Sequence, residues 1–342
     1  MRNAWAICVT LFVASGAWAQ TAAEQSALDQ CLAKTPGDQG VARVFYVPEA
    51  ATDVSVRELF YAIQTTTEVR WALRCTGVRA ISVRGTDDQL AATDWLIREV
   101  YSSGAGPQTP AGPYNLSNTS TPVVRLFRLQ RLESQQQLVD MVNLLRTVTE
   151  LQRIVQVNTE KIIIVRGDAD RVAMAEWLVD ELDQSPQNFP RQYEIEDQWA
   201  PVARILPLPQ VQDTMAAFEV VNLIRTISEL QRVALLSAGT KTVAVRGTAE
   251  RVALADWLVK QLDNPNGAVG KGAEHTADQS QSVRVFYMAA SSDAQDLANR
   301  VKSVRDAAKV QRVAFYSPNR VLMVRGTPDQ LAAAERVISA PN

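Results

Sequence analysis

Between residues 122 and 183 the spacing of apolar positions changes period from segment to segment. Val123 to Leu129 ("VVRLFRL") is a short branched and aromatic run, the mark of a strand. Ser134 then offers an N-cap, and Leu138, Val142 (beside Met141), Leu145 and Val148 recur at helical spacing. Arg153–Val157 and Ile162–Arg166 read as two further strands around a turn at Asn158–Lys161. Gly167 ends the last strand, Asp168 caps a second helix, and Val172, Ala175, Leu178 and Val179 lay an apolar stripe along it beside Trp177. The pattern predicts β-α-β-β-α.

The same pattern is written four times. "VRGTDDQLAATDWL" (Val83), "VRGDADRVAMAEWL" (Val165), "VRGTAERVALADWL" (Val245) and "VRGTPDQLAAAERV" (Val324) align on Val-Arg-Gly, with arginines 82, 80 and 79 positions apart. Upstream, "ARVFYV", "VRLFRL", "ARILPL" and "VRVFYM" recur, and "NLLRTVTELQR" (Asn143–Arg153) nearly repeats as "NLIRTISELQR" (Asn222–Arg232). A period of this size denotes tandem structural units. Thr86 with Gln89 and Thr327 with Gln330 have capping-box spacing. The fold class is therefore α+β, four tandem βαββα units. The expected repeats are 41–101, 122–183, 201–263 and 282–342, preceded by an N-terminal segment, 20–40. The intervening stretches 102–121, 184–200 and 264–281 are rich in Pro, Gly and polar residues and read as flexible linkers.

Alternation assigns the faces of each sheet. Phe45, Phe127, Leu206 and Phe286, with Val83, Val165, Val245 and Val324, belong under the two helices. The opposite parity carries Arg84, Arg166, Arg246 and Arg325, together with Tyr46, Leu126, Arg128, Ile162, Ile164 and Tyr287. On a three-stranded sheet with both helices on one side, this second face is open. Its mixture of branched apolar, Tyr and Arg makes those ten residues the candidate interaction face; the alternative is arginine stems covering the sheet with their heads in water.

Composition changes little in this picture. Charged residues make up 21% of the 342 residues, and the formal charge of −2 gives no electrostatic reason to expect nucleic acid. The first residues matter more: Arg2, an apolar run from Ala4 to Ala14 and Ala17-Trp18-Ala19 have the order of a secretory signal peptide over 1–19. That run is short for a membrane span, and no later stretch reaches the required length. Export leaves Cys31 and Cys75, either a disulfide or two unrelated small apolar residues.

Candidate chemistry is sparse. His275 is the one histidine and has no cysteine near it in the chain, so neither a metal site nor a Ser-His-Asp arrangement is indicated. "GAGPQT" and "GKG" lack the context of phosphate loops. A βαββα unit resembles KH modules, but Gly37–Gly40 and Gly267–Gly270, the Gly-x-x-Gly spacings, fall outside the repeats. No catalytic, cofactor or metal residue is assigned, and no cofactor is expected.

The repeat resembles the periplasmic N-domains of bacterial secretins. The matching residues are "VRLFRL", "IIIVRGDADRVAMAEWLVDELD" (Ile162–Asp183), "VAVRGTAERVALADWLVKQLD" (Val243–Asp263) and "VLMVRGTPDQLAAAERVI" (Val321–Ile338). It departs in its hairpins, "NTEKIII" and "SPNRVLM", and no long β-rich segment follows the fourth repeat. The resemblance implies a periplasmic docking or self-associating protein; it does not by itself imply a channel. Its partners would be a secretin-like pore or an inner-membrane assembly component of a secretion or type IV pilus system. The alternative is an envelope lipid- or glycan-binding module of the BON type.

Overall fold

A computed structural model describes residues 22–34, 40–49, 51–75, 77–102, 112–131, 134–183, 191–237, 241–262, 270–289 and 294–340. The signal region 1–19, residues 103–111, 184–190 and 264–269 of the three linkers, and residues 238–240 lie outside the described residues. The chain forms two compact units, residues 1–130 with 151–172 and residues 131–150 with 173–342.

The first unit opens with α1 (Ala22–Lys34). Repeat 1 follows as β1 (Val41–Tyr46), α2 (Asp53–Thr67), β2 (Trp71–Cys75), β3 (Ala80–Gly85) and α3 (Asp87–Tyr101). The unit also holds the sheet of repeat 2: β4 (Tyr114–Asn115), β5 (Val123–Arg128), β6 (Arg153–Val157) and β7 (Ile162–Gly167). The second unit contains α4 (Gln135–Thr149) and most of α5 (Ala169–Leu182). Repeat 3 runs β8 (Arg191–Glu194), β9 (Val202–Pro207), α6 (Thr214–Ser228), β10 (Arg232–Leu236), β11 (Thr242–Gly247) and α7 (Ala249–Leu262). Repeat 4 runs β12 (Gly270–Thr276), β13 (Ser282–Tyr287), α8 (Ala294–Ala308), β14 (Arg312–Tyr316), β15 (Val321–Gly326) and α9 (Pro328–Ser339).

Each sheet is antiparallel with the Val-Arg-Gly strand inside it. The orders are β1-β3-β2, β4-β5-β7-β6, β8-β9-β11-β10 and β12-β13-β15-β14. Three sheets thus have a fourth strand that the sequence reading left inside the linkers. "YN", "RQYE" and "GKGAEHT" add to the free edge of β5, β9 and β13. An aromatic ring anchors each of these strands: Tyr114 meets Trp95, Tyr193 meets Trp177, and His275 stacks on Trp257 at 4.9 Å. The tryptophan of the second helix in each of the first three repeats therefore fastens the chain that follows it, and His275 is a packing residue.

The expected helix caps are present. Thr86 with Gln89, Ser134 with Gln137, and Thr327 with Gln330 form reciprocal capping boxes. The glycine of Val-Arg-Gly has a role other than turning the chain. Gly167 and Gly247 do not have positive φ; a Cβ there would meet Leu151 Cδ2 at 2.1 Å and Leu230 Cδ2 at 2.2 Å. Close packing, rather than left-handed backbone, selects glycine at these positions.

The parity assignment places the cores. Phe45, Ile81 and Val83 pack with Leu59 and Ile63 of α2, and Leu206, Val243 and Val245 with Val221 and Ile224 of α6. Cys31 and Cys75 form a disulfide, with Cα atoms 5.3 Å apart, between α1 and β2.

Candidate functional site

The face read as open is covered in repeats 2 to 4, and its cover is the first helix of the preceding repeat. Leu126, Ile162 and Ile164 of sheet 2 share one cluster with residues of repeat 1, and α2 lies on β6. In the second unit α4 lies on β10, and α6 lies on β14. Val285, Tyr287, Tyr316, Val321 and Met323 of sheet 4 accordingly join the core of repeat 3. What these faces meet is the chain itself.

The Val-Arg-Gly arginine closes each junction. Arg246 has a side chain 0% exposed. It donates to the Val148 carbonyl in the last turn of α4 (3.1 Å), to the Ala200 carbonyl (2.9 Å) and to Asp197 Oδ2 (2.6 Å), and lies 3.5 Å from Glu150. Arg166 repeats this with the Thr66 carbonyl (2.8 Å), the Thr121 carbonyl (2.8 Å), Thr119 Oγ1 (3.1 Å) and Glu68 (2.8 Å). Arg325 repeats it with the Ile227 carbonyl (3.0 Å), Gln281 Oε1 (3.0 Å), Asp278 (2.8 Å) and Glu229 (3.4 Å). A second arginine, directly across the strand pair, grips the same glutamate: Arg153 with Glu68, Arg232 with Glu150 and Arg312 with Glu229.

The helix end is shaped for this grip. Glu68, Glu150 and Glu229 are C-caps with φ of 56°, 61° and 57°. This left-handed turn ends each helix, and the Val-Arg-Gly arginine donates to one of the carbonyls left without an intrahelical partner there. A third contact fixes register. An acid one turn into the helix, Glu58, Asp140 or Glu219, accepts from the hairpin turn of the next repeat. Glu58 accepts from Asn158 Nδ2 (2.8 Å) and the Thr159 amide (3.2 Å); Glu219 accepts from the Ser317 amide (2.7 Å).

Charge and burial act together here. Burial lowers the pKa of Arg166, and Glu68 opposes that shift. The Asp278 carboxyl is held down to about 2, first by the Ser280 amide and then by the Arg325 guanidinium. Asp197 is also lowered, chiefly by the Trp199 amide. A depressed folded-state pKa contributes stability above the usual 3.8 that is lost as pH falls through the folded value. Acid unfolding is therefore expected to steepen between about pH 4 and pH 2, and Asp278→Asn to flatten that part of a stability-against-pH curve.

Repeat 1 differs from the other three. Arg84 is half-buried and donates to the Gly40 carbonyl at 3.1 Å, and its cross-strand partner is Trp71, not arginine. Here α1 lies over the sheet, and Leu28 and Cys31 pack with Cys75, Ala80, Val44 and Leu73. Tyr46 stays 44% exposed. Arg128 is half-buried and reaches the Val100 carbonyl (3.0 Å). The structure thus joins Leu126, Ile162, Ile164 and Arg166 in one junction, puts Arg246 in the next, and puts Tyr287 with Arg325 in the last. The sequence reading missed the glutamate caps and the second arginines. Their signal was the near-identical "TELQR" and "SELQR", which contain both.

On the surface, α6 presents Met215 (70% exposed) and Phe218 (48% exposed) one turn apart. Among the described residues no group of His, Cys, Asp and Glu is arranged to hold a metal ion, and no helix is long and apolar enough to cross a membrane.

No protein-family model and no curated protein matches this chain. Among solved structures it is similar to the N-terminal domain of the secretin XcpQ from Pseudomonas aeruginosa, at 14% identity and TM-score 0.18, covering 42% of this chain and 62% of that one. It is also similar to Aeromonas hydrophila ExeD, at 19% identity and TM-score 0.16, over 64% of this chain and 40% of that one. A third is the ETEC pilotin-secretin AspS-GspD complex, at 14% identity and TM-score 0.16, over 89% and 56%. At such TM-scores these likenesses carry no functional argument.

Proposed function

We propose that this chain is an exported, non-enzymatic scaffold or accessory protein of the periplasm. Its secretin N-domain-like repeats would hold protein partners for a secretion or type IV pilus system. The observation that supports this most directly is the junction made three times over: a βαββα sheet face receiving the acidic end of a helix from another βαββα unit. A module that recognises its own kind this way suits assembly with other proteins of the same construction. A secretin-like pore or an inner-membrane assembly component is the partner class. Met215 and Phe218 supply apolar area on the outside of α6 for such a contact.

A photo-crosslinking residue in place of Phe218, in living cells, tests the reading. Adducts with a component of a secretion or pilus apparatus are expected, and Met215→Glu should abolish them. Adducts confined to lipid or glycan would overturn the proposal in favour of an envelope-binding module, and a complete lack of protein adducts would also overturn it.

A further inference from the structure

The first helices of the four repeats are all 15 residues long and align position by position from their first residue: α2, α4, α6 and α8. Their inward positions keep one character throughout. The fourth (Val56, Leu138, Ala217, Leu297) and the eleventh (Ile63, Leu145, Ile224, Val304) are buried in every copy.

The outward positions do not. The sixth, Glu58, Asp140 and Glu219 in the first three repeats, is Asn299 in α8. The tenth, fully buried Ala62, Leu144 and Leu223, becomes exposed Ser303. The fourteenth, buried Thr66, Val148 and Ile227, becomes exposed Ala307. The C-cap glutamate becomes Lys309, which keeps the left-handed φ of 52° but reverses the charge. The side chains at these four outward positions are all altered on α8, while the buried fourth and eleventh positions keep their apolar character.

Sheet 1 is altered in a matching way. It keeps Arg84 but has Trp71 where the other sheets have the second arginine, and α1 is bridged onto it through Cys31 and Cys75. Seating α8 of one copy on sheet 1 of another would bring Lys309 against Arg84 and place Ser303 where the junctions bury Ala or Leu. Like charges and an unpaired hydroxyl both oppose that contact.

We infer that α8 and the α1-covered sheet 1 are end caps that prevent copies of this chain from joining head to tail through the interface used inside it. Repeat arrays need polar terminal faces to stay soluble, and a self-complementary heterologous interface left unblocked generates open filaments. This inference rests on the junction geometry and is independent of the partner proposed above.

The test is a gain of assembly in the full exported chain, followed by sedimentation velocity. One variant restores the α8 face (N299E, S303L, A307V, K309E), changing exposed residues only. The other opens sheet 1 (C31S, C75S, W71R). Wild type and each variant alone are expected to sediment as monomers. An equimolar mixture of the two is expected to double the sedimenting mass, and both sets in one chain should give oligomers that grow with concentration. Returning residue 309 to lysine should reverse both effects.

If the serine pair lowers the melting midpoint, reducing the native bridge in W71R opens the same face, and the same mixture decides. Mixtures that stay monomeric while circular dichroism shows intact folding would overturn the inference. So would wild-type oligomers whose cross-links join α8 to sheet 1.

Discussion

Arg246→Ala is expected to lower the stability of the chain by about 3–5 kcal/mol, the usual range for removing one partner of a buried charged network. The loss exceeds that of one hydrogen bond because four groups depend on the guanidinium. The Val148 and Ala200 carbonyls lose their donor, and Asp197 and Glu150 lose a counter-charge. The left-handed cap at Glu150 then rests on Arg232 alone of its arginine pair. The denaturant midpoint at constant slope is the measurement. Arg84→Ala is the internal control. It removes a half-buried arginine whose described bond is to one carbonyl, so about 1 kcal/mol is expected. Equal losses at the two positions would mean that the junction contributes nothing beyond the strand.

The second large effect is expected from Ile162→Ser combined with Arg166→Ser. If this face were open, the pair would weaken association and leave folding intact. In the structure Ile162 is fully buried beside Ile164 and Leu59, and Arg166 holds the end of α2. The double substitution removes a branched side chain from a packed interior, adds a buried hydroxyl and leaves Glu68 with Arg153 alone of its arginine pair. Roughly 4–8 kcal/mol is expected, with the two changes non-additive because they share one junction. Calorimetry should show a separate low-temperature transition or loss of folded chain. An unchanged melt with weakened association would instead restore the open-face reading.

Much of the fold is legible in the sequence because its signals are local. Parity along "IIIVRG" and "TVAVRG" assigns the inward valines, and Thr86, Ser134 and Thr327 announce helix starts before any tertiary contact is known. The junctions are less legible because a single repeat does not reveal what lies on its far side. A clue is nonetheless present in α4. Besides the stripe Leu138, Val142 and Leu145, it carries Met141, Leu144 and Val148, and all six are buried. A helix apolar on two sides calls for more cover than one face can take, and β10 of the next repeat supplies part of it. The linker strands were hidden for another reason. "GKGAEHT" has no apolar alternation and a single β-branched residue, Thr276, and its pairing depends on the neighbouring edge and on Trp257 beneath His275.

The equivalence of the three arginine clamps makes the array editable. Excising Arg166 through Val245, one whole period, would leave the end of α2 facing Arg246 and the end of α4 facing Arg325. Each helix would meet a counterpart of the type it already holds, with Asp140 free to take over Ser317 from Glu219. A gene of this kind can lose or gain a cassette by recombination between its near-identical segments without inventing a surface, so lineages should differ in repeat number more readily than in how neighbouring repeats are joined.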